Sequence, residues 1–131
     1  RLMGSLDTSL VTAATGTNAV LLTAQAYLAP RRFAARLSAP AAAPVGHPAM
    51  VQMIATEGGR LTGYHLDELE RLPSFHGTDT YLREGDEVVP TVSSLTSPGL
   101  IFLYADSPEQ LHGDYHRIRE LERAGSLYQL G

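Results

Sequence analysis

Apolar residues recur every three or four positions through the first thirty residues and then, past position 48, gather into short runs separated by turn-forming residues. The period therefore changes from that of a helix to that of a strand partway along the chain. In the first stretch, Leu6, Leu10, Val11 and Ala14 fall on one face of a short helix that Asp7 (or Ser5) caps and Gly16 ends. A second helix follows with Asn18 as its cap, Val20, Leu21, Ala24, Tyr27 and Leu28 at helical spacing, and Pro30 as its stop. "RRFAARL" adds a further helical turn or two.

The stretch "SAPAAAPVGHP" (38–48) reads as a semi-rigid linker, because proline at 40, 44 and 48 favours extended backbone over helix or sheet. Strands are expected beyond it. "AMVQMIAT" (49–56) is apolar on both faces, and "EGG" turns the chain into "RLTGYHL" (60–66), which predicts a hairpin with glycine at positive φ. "DELERLP" is a short helix, and "TDTYL", "DEVVPTV" and "GLIFLYA" are further strands. "GLIFLYA" has no polar break and is expected at the centre of its sheet. Ser107 as cap and Pro108 at the first helical position open a long helix with a buried stripe of Leu111, Tyr115, Ile118 and Leu121. Arg117, Glu120, Glu122 and Arg123 are expected to face water. Gly125 closes the helix, and "SLYQL" is a final strand. The expected fold is α+β: two N-terminal helices, a Pro/Ala-rich linker, then a mainly antiparallel sheet with one long packed helix.

Composition narrows the chemistry. The 131 residues carry a net charge of −4, with 44% apolar and 18% charged residues, an ordinary globular mix without a basic face for nucleic acid. No apolar run approaches the ~20 residues of a membrane span, and no signal segment is present, so cytoplasm is the default expectation. With no cysteine there is neither a disulfide nor a thiolate metal site. All ten basic residues are arginine. A chain without lysine cannot form a Schiff base, carry biotin or lipoate, or place an ammonium on a nucleotide phosphate.

Candidate chemistry is sparse. Arg1, followed by a Met-Gly-Ser loop and a capped helix, makes a place for an anion, since a guanidinium fork binds carboxylate or phosphate and helix-terminal amides add to it. The alternative is a surface arginine beside an ordinary turn. His112 and His116 have the i, i+4 spacing of two imidazoles sharing a metal, with Glu109 or Glu120 in reach, yet no persuasive third ligand; they read as exposed helix residues, and no metal site is assigned. Asp67, Glu68 and Glu70 suit the first turn of a helix. His65 and His76 read as polar edges of the sheet, and Ser93, Ser94 and Ser97 as turn chemistry rather than nucleophiles.

"RLMGSLDTSLVTAATGTNAVLLTAQAYLA" resembles the tail of an ATP-grasp catalytic domain, where a strand ending in Glu-x-Asn-x-Arg leads to a glycine-rich loop and two helices. "EGGRLTGYHLDEL" and "LREGDEVVPTVSSLTSPGLIFLYADSPEQL" resemble the C-terminal subdomain of ATP-grasp carboxylate–amine ligases of the L-amino-acid ligase type. The resemblance covers nearly the whole chain in order. It implies a tail of the catalytic domain at 1–37, the linker at 38–48 and a C-terminal subdomain at 49–131. It also implies that the chain is the C-terminal end of a larger enzyme, with an upstream ATP-grasp domain as its partner. That enzyme would use Mg-ATP to phosphorylate a carboxylate and let an amine attack the acyl phosphate, forming an amide or peptide bond from small-molecule amino acids or carboxylates. Arg1 would contact the acyl phosphate or a substrate carboxylate, with Gly4, Ser5 and Leu6 lining that pocket; Met3 stands where the family has its first glycine. The ligands of ATP and magnesium would lie outside this chain, which alone would be inactive and would expose apolar helix faces. Rival readings are a non-catalytic scaffold or dimerisation module, with a homodimer left open, and the tail of a biotin-carboxylase-like or nucleotide-biosynthesis ATP-grasp enzyme.

Overall fold

The computed structural model describes residues 7–40 and 43–131. Its organising element is β5 (Gly99–Ala105), which pairs antiparallel on one side with β1 (His47–Gln52) and on the other with β3 (Phe75–Thr80). Side chains alternate across a strand, so Ile101 and Leu103 enter one core while Leu100 and Phe102 enter another. That double burial explains the unbroken apolar run and the central position. A second sheet has β2 (Gly59–Tyr64) between β4 (Glu87–Val88) and β6 (Tyr128–Leu130), again antiparallel.

The main core lies among the two sheets, α4 (Asp67–Glu70) and α5 (Pro108–Arg123), with Met53, Leu61, Leu69, Val88, Ile118 and Leu127 fully enclosed. Ser107 caps α5 by accepting from the Gln110 amide, and Gly125 follows it at φ +63°. The opposite face of β5 is covered by α1 (Thr8–Thr15), whose Leu10 packs on Leu100 and Phe102. Gly16, at φ +70°, ends α1. Asn18 caps α2 (Ala19–Leu28) through the Leu21 amide and donates its side-chain amide to Thr12 Oγ1, tying the two helices together. Pro30 both bars continuation of α2 and starts α3 (Pro30–Leu37) as its first residue. Neither α2 nor α3 buries a residue.

Two expectations about the sheet need correction. The strand expected at 49–56 begins at His47, where the Val45 amide bonds to Ala14 O and starts the chain along β5. The hairpin expected between 49–56 and 60–66 does not form, because β1 pairs with β5, and β2 with β4 and β6. Beyond β1 the Met53 amide bonds to Gly99 O and Ala55 N to Thr91 Oγ1, which carries the chain away from β2. Gly58 and Gly59 are also not at positive φ. They permit close approach instead, for a Cβ at Gly58 would lie 3.1 Å from Val88 O and one at Gly59 3.1 Å from Leu130 Cβ. A third correction concerns α5: Glu122 is buried, not exposed to water.

Candidate functional site

Arg1, Gly4, Ser5 and Leu6 lie outside the described residues. The described chain begins at Asp7, and the way Asp7 is held is informative. Its Oδ1 accepts from Ser9 N at 2.7 Å, Leu10 N at 3.0 Å and Ser9 Oγ at 2.6 Å. These bonds, led by the Ser9 hydroxyl, hold the Asp7 carboxyl below the usual aspartate range. The helix-terminal amides of Ser9 and Leu10 are therefore occupied by the protein's own carboxylate, and do not add to an anion site as the sequence suggested.

Ser9 Oγ also stands 2.9 Å from His76 Nε2. An ionised carboxylate only accepts, so the single hydroxyl proton of Ser9 goes to Asp7 and His76 must donate through Nε2–H. Aspartate, serine and histidine are thus present in the wrong order for nucleophilic catalysis, because the imidazole donates to the serine and cannot take its proton. The arrangement is a clasp that holds the start of α1 on β3. His76 reaches it because β3 has a bulge between Phe75 and Gly77, which re-aims one side chain out of the alternating pattern. The sequence placed His76 at the sheet edge; Gly77 beside it is the signal that could have suggested the bulge.

The other sequence candidates are structural. Ser97 is buried and its Oγ contacts Met53 O and Gly99 O, both at 2.8 Å, while Ser93 caps a short 3₁₀ turn through Leu95 N. Glu68 pairs with Arg71 at 2.6 Å and lies 3.8 Å from Arg117. Sequence reasoning missed a buried ion pair. Glu122 Oε1 accepts the Ile54 amide at 2.8 Å, and Oε2 binds the Arg119 guanidinium, whose other arm donates to Gln52 O at 2.9 Å. Burial raises the Glu122 carboxyl above its ordinary value against the opposing pull of Ile54 N–H and Arg119. Tyr128 donates its hydroxyl to Ile54 O, and burial raises that phenol to about 12. The spacing from Ile118 to Glu122 is i, i+4, which was the available signal that the two share a face.

The described residues form open clefts, two of them sizeable. One of about 280 Å³ is lined by Thr56, Glu57, Arg123 and Tyr128, the other of about 570 Å³ by Thr15, Thr17, Leu22, Arg36, Leu37 and Pro40. Among the described residues no group of three or more His, Asp or Glu could hold a metal ion, and no helix is long and apolar enough to cross a membrane. The apolar surface is more telling. Tyr27 is 83% exposed and Leu28 85%, with Val20, Leu21 and Leu37 also open to solvent on the α2–α3 pair.

The fold occurs in ATP-grasp enzymes. The crystal structure of L-amino acid ligase from Bacillus licheniformis superposes with a TM-score of 0.67 at 19% identity over 86% of this chain. That of phosphoribosylglycinamide synthetase from Anaerococcus prevotii does so with a TM-score of 0.64 at 13% identity over 95% of it. Both are ATP-grasp enzymes. The chain spans only 28% and 30% of the lengths of those two proteins. No protein-family model matches it, and no curated protein does.

Proposed function

We propose that this chain is the C-terminal portion of an ATP-dependent carboxylate–amine ligase, forming an amide or peptide bond through an acyl phosphate. The carrying observation is the shared fold, over nearly all of this chain but under a third of each neighbour, in two ATP-grasp enzymes. The α2–α3 pair supports it: none of the ten mostly apolar residues of α2 is fully buried within this chain, and apolar patches of several hundred Å² usually mark an absent partner. In this reading the partner is the upstream ATP-grasp domain. The preference for the amino-acid ligase branch rests on the post-linker sequence resemblance.

The described residues do not make a Mg-ATP site. They hold no group of three or more His, Asp or Glu that could ligate a metal, and the chain supplies no lysine for phosphate. Nucleotide and metal therefore belong to the remainder of the enzyme in this reading. This chain contributes position: the Asp7–Ser9–His76 clasp and the Leu10 contact with β5 anchor the helix that directly follows Arg1–Leu6. Arg1 is assigned to neutralise charge on the acyl phosphate or substrate carboxylate, with Gly4, Ser5 and Leu6 lining its pocket. Removing one such donor from a charge-developing site costs about 3 kcal/mol.

The test is phosphate release from Mg-ATP by the full-length protein, screened against pairs of amino acids, with mass spectrometry for the condensed product. Amino-acid-dependent release that falls roughly 10²-fold in Arg1→Ala supports the assignment. Wild-type turnover in that variant removes Arg1 from the mechanism, and absence of any amino-acid-dependent release removes the ligase reading.

A further inference from the structure

His112 and His116 stand one turn apart on the solvent face of α5, and the structure gives them more than spacing. Their Nε2 atoms are 2.8 Å apart and their rings meet edge to face at 4.4 Å between centroids. At a metal–nitrogen distance of about 2.0–2.1 Å, two ligands at right angles stand about 2.9 Å apart and two tetrahedral ones about 3.3 Å. The two Nε2 atoms therefore already stand at about the separation of a right-angled chelate.

The pair is also supported along the helix. The His116 ring packs edge-on against Tyr115 at 5.6 Å, and the Arg119 guanidinium lies 5.0 Å from the centre of the Tyr115 ring. Arg119 is fixed by Glu122 and Gln52 O. A line of contacts thus runs from the buried carboxylate to one imidazole and limits its rotamers, which lowers the ordering cost of binding.

We propose that His112 and His116 form a bidentate site for a divalent transition-metal ion of the copper and nickel type, independent of the ligase reading above. Two imidazoles are borderline ligands that suit Cu(II), Ni(II) and Zn(II), and disfavour magnesium and calcium, which take oxygen. The right-angled separation places tetragonal Cu(II) and Ni(II) ahead of tetrahedral Zn(II). In the metal-free pair one Nε2 carries the proton and the other accepts it. On binding, that ring keeps its proton on Nδ1 instead, so both Nε2 lone pairs reach the metal. The rest of the coordination shell is water, since only two protein ligands converge.

Calorimetric titration of the chain with CuCl₂, NiCl₂, ZnCl₂ and MgCl₂ in a non-chelating buffer tests this, with the visible absorption of Cu(II) as a second readout. One equivalent of Cu(II) should bind with an imidazole-type absorption, Ni(II) ahead of Zn(II), and magnesium not at all. Both His112→Ala and His116→Ala should weaken Cu(II) binding by roughly tenfold or more, as each removes half the chelate. His65→Ala should leave it unchanged. These positions are exposed, so the variants fold, and circular dichroism verifies it. Equal Cu(II) affinity in wild type and both variants, or no binding by wild type, overturns the proposal.

Discussion

A carboxylate taken out of water must be paired, protonated or both, and Glu122 is held by an amide and a guanidinium at once. Arg119 joins it while bonding the end of β1, so the pair fastens α5 to the first sheet. Removing only the cation leaves a buried charge behind. Arg119→Met should therefore lower unfolding free energy by about 3 kcal/mol in urea, and Arg119→Met with Glu122→Gln should recover part of that loss. An unchanged urea midpoint in the single variant would show the pair to be idle. Asp7 works in the opposite electrostatic sense. Its folded-state pKa is depressed, so its contribution is present above the unfolded value near 3.9 and is lost as pH falls through the folded one. Asp7→Ala should cost about 1 kcal/mol at pH 7, and the gap to wild type should close as pH drops below about 4. Thermal melts across pH measure this, and a gap that does not shrink in acid would contradict the assignment of Asp7 as an ionised cap.

Among the elements, the helix ends were legible because they are written in adjacent residues: Asp7, Asn18 and Ser107 cap as expected, and Gly16 and Gly125 terminate. The centrality of β5 was legible too, since "GLIFLYA" offers apolar side chains to both faces. The partner of β1 was not, because "EGG" is a local signal whereas pairing with β5 closes a loop from Gln52 to Leu100 that no local signal encodes. Burial of Glu122 is hidden in the sequence for a related reason: its charge argues for water, while its register with Ile118 places it inside. The proposed site residues Arg1, Gly4, Ser5 and Leu6 fall outside the described residues, and the His76 bulge that anchors the helix following them in sequence depends on a strand pairing. At the scale of α2, apolar periodicity predicted a helix with one apolar face, yet no residue of it is fully buried in this chain. Leu28→Glu should accordingly leave the stability of the 131-residue chain within about 0.5 kcal/mol of wild type. A large loss would mean that α2 is packed by its own chain.

For the molecule as a whole, two sheets, α4 and α5 form one closed core, α1 covers the remaining face of β5, and the α2–α3 pair stands apart with its apolar side chains uncovered. A fold shared with under a third of two ATP-grasp enzymes, together with an uncovered helix pair, makes the α2–α3 surface the proposed seat of the ATP-binding remainder. Hydrogen exchange on Ala19–Leu28 reads this most directly, because amide protection reports whether a helix is held by surrounding structure. In a longer protein that includes the proposed ATP-binding remainder, those amides should exchange at least about tenfold more slowly than in the 131-residue chain, with α5 unchanged between the two. Equal exchange of the segment in both would contradict the account.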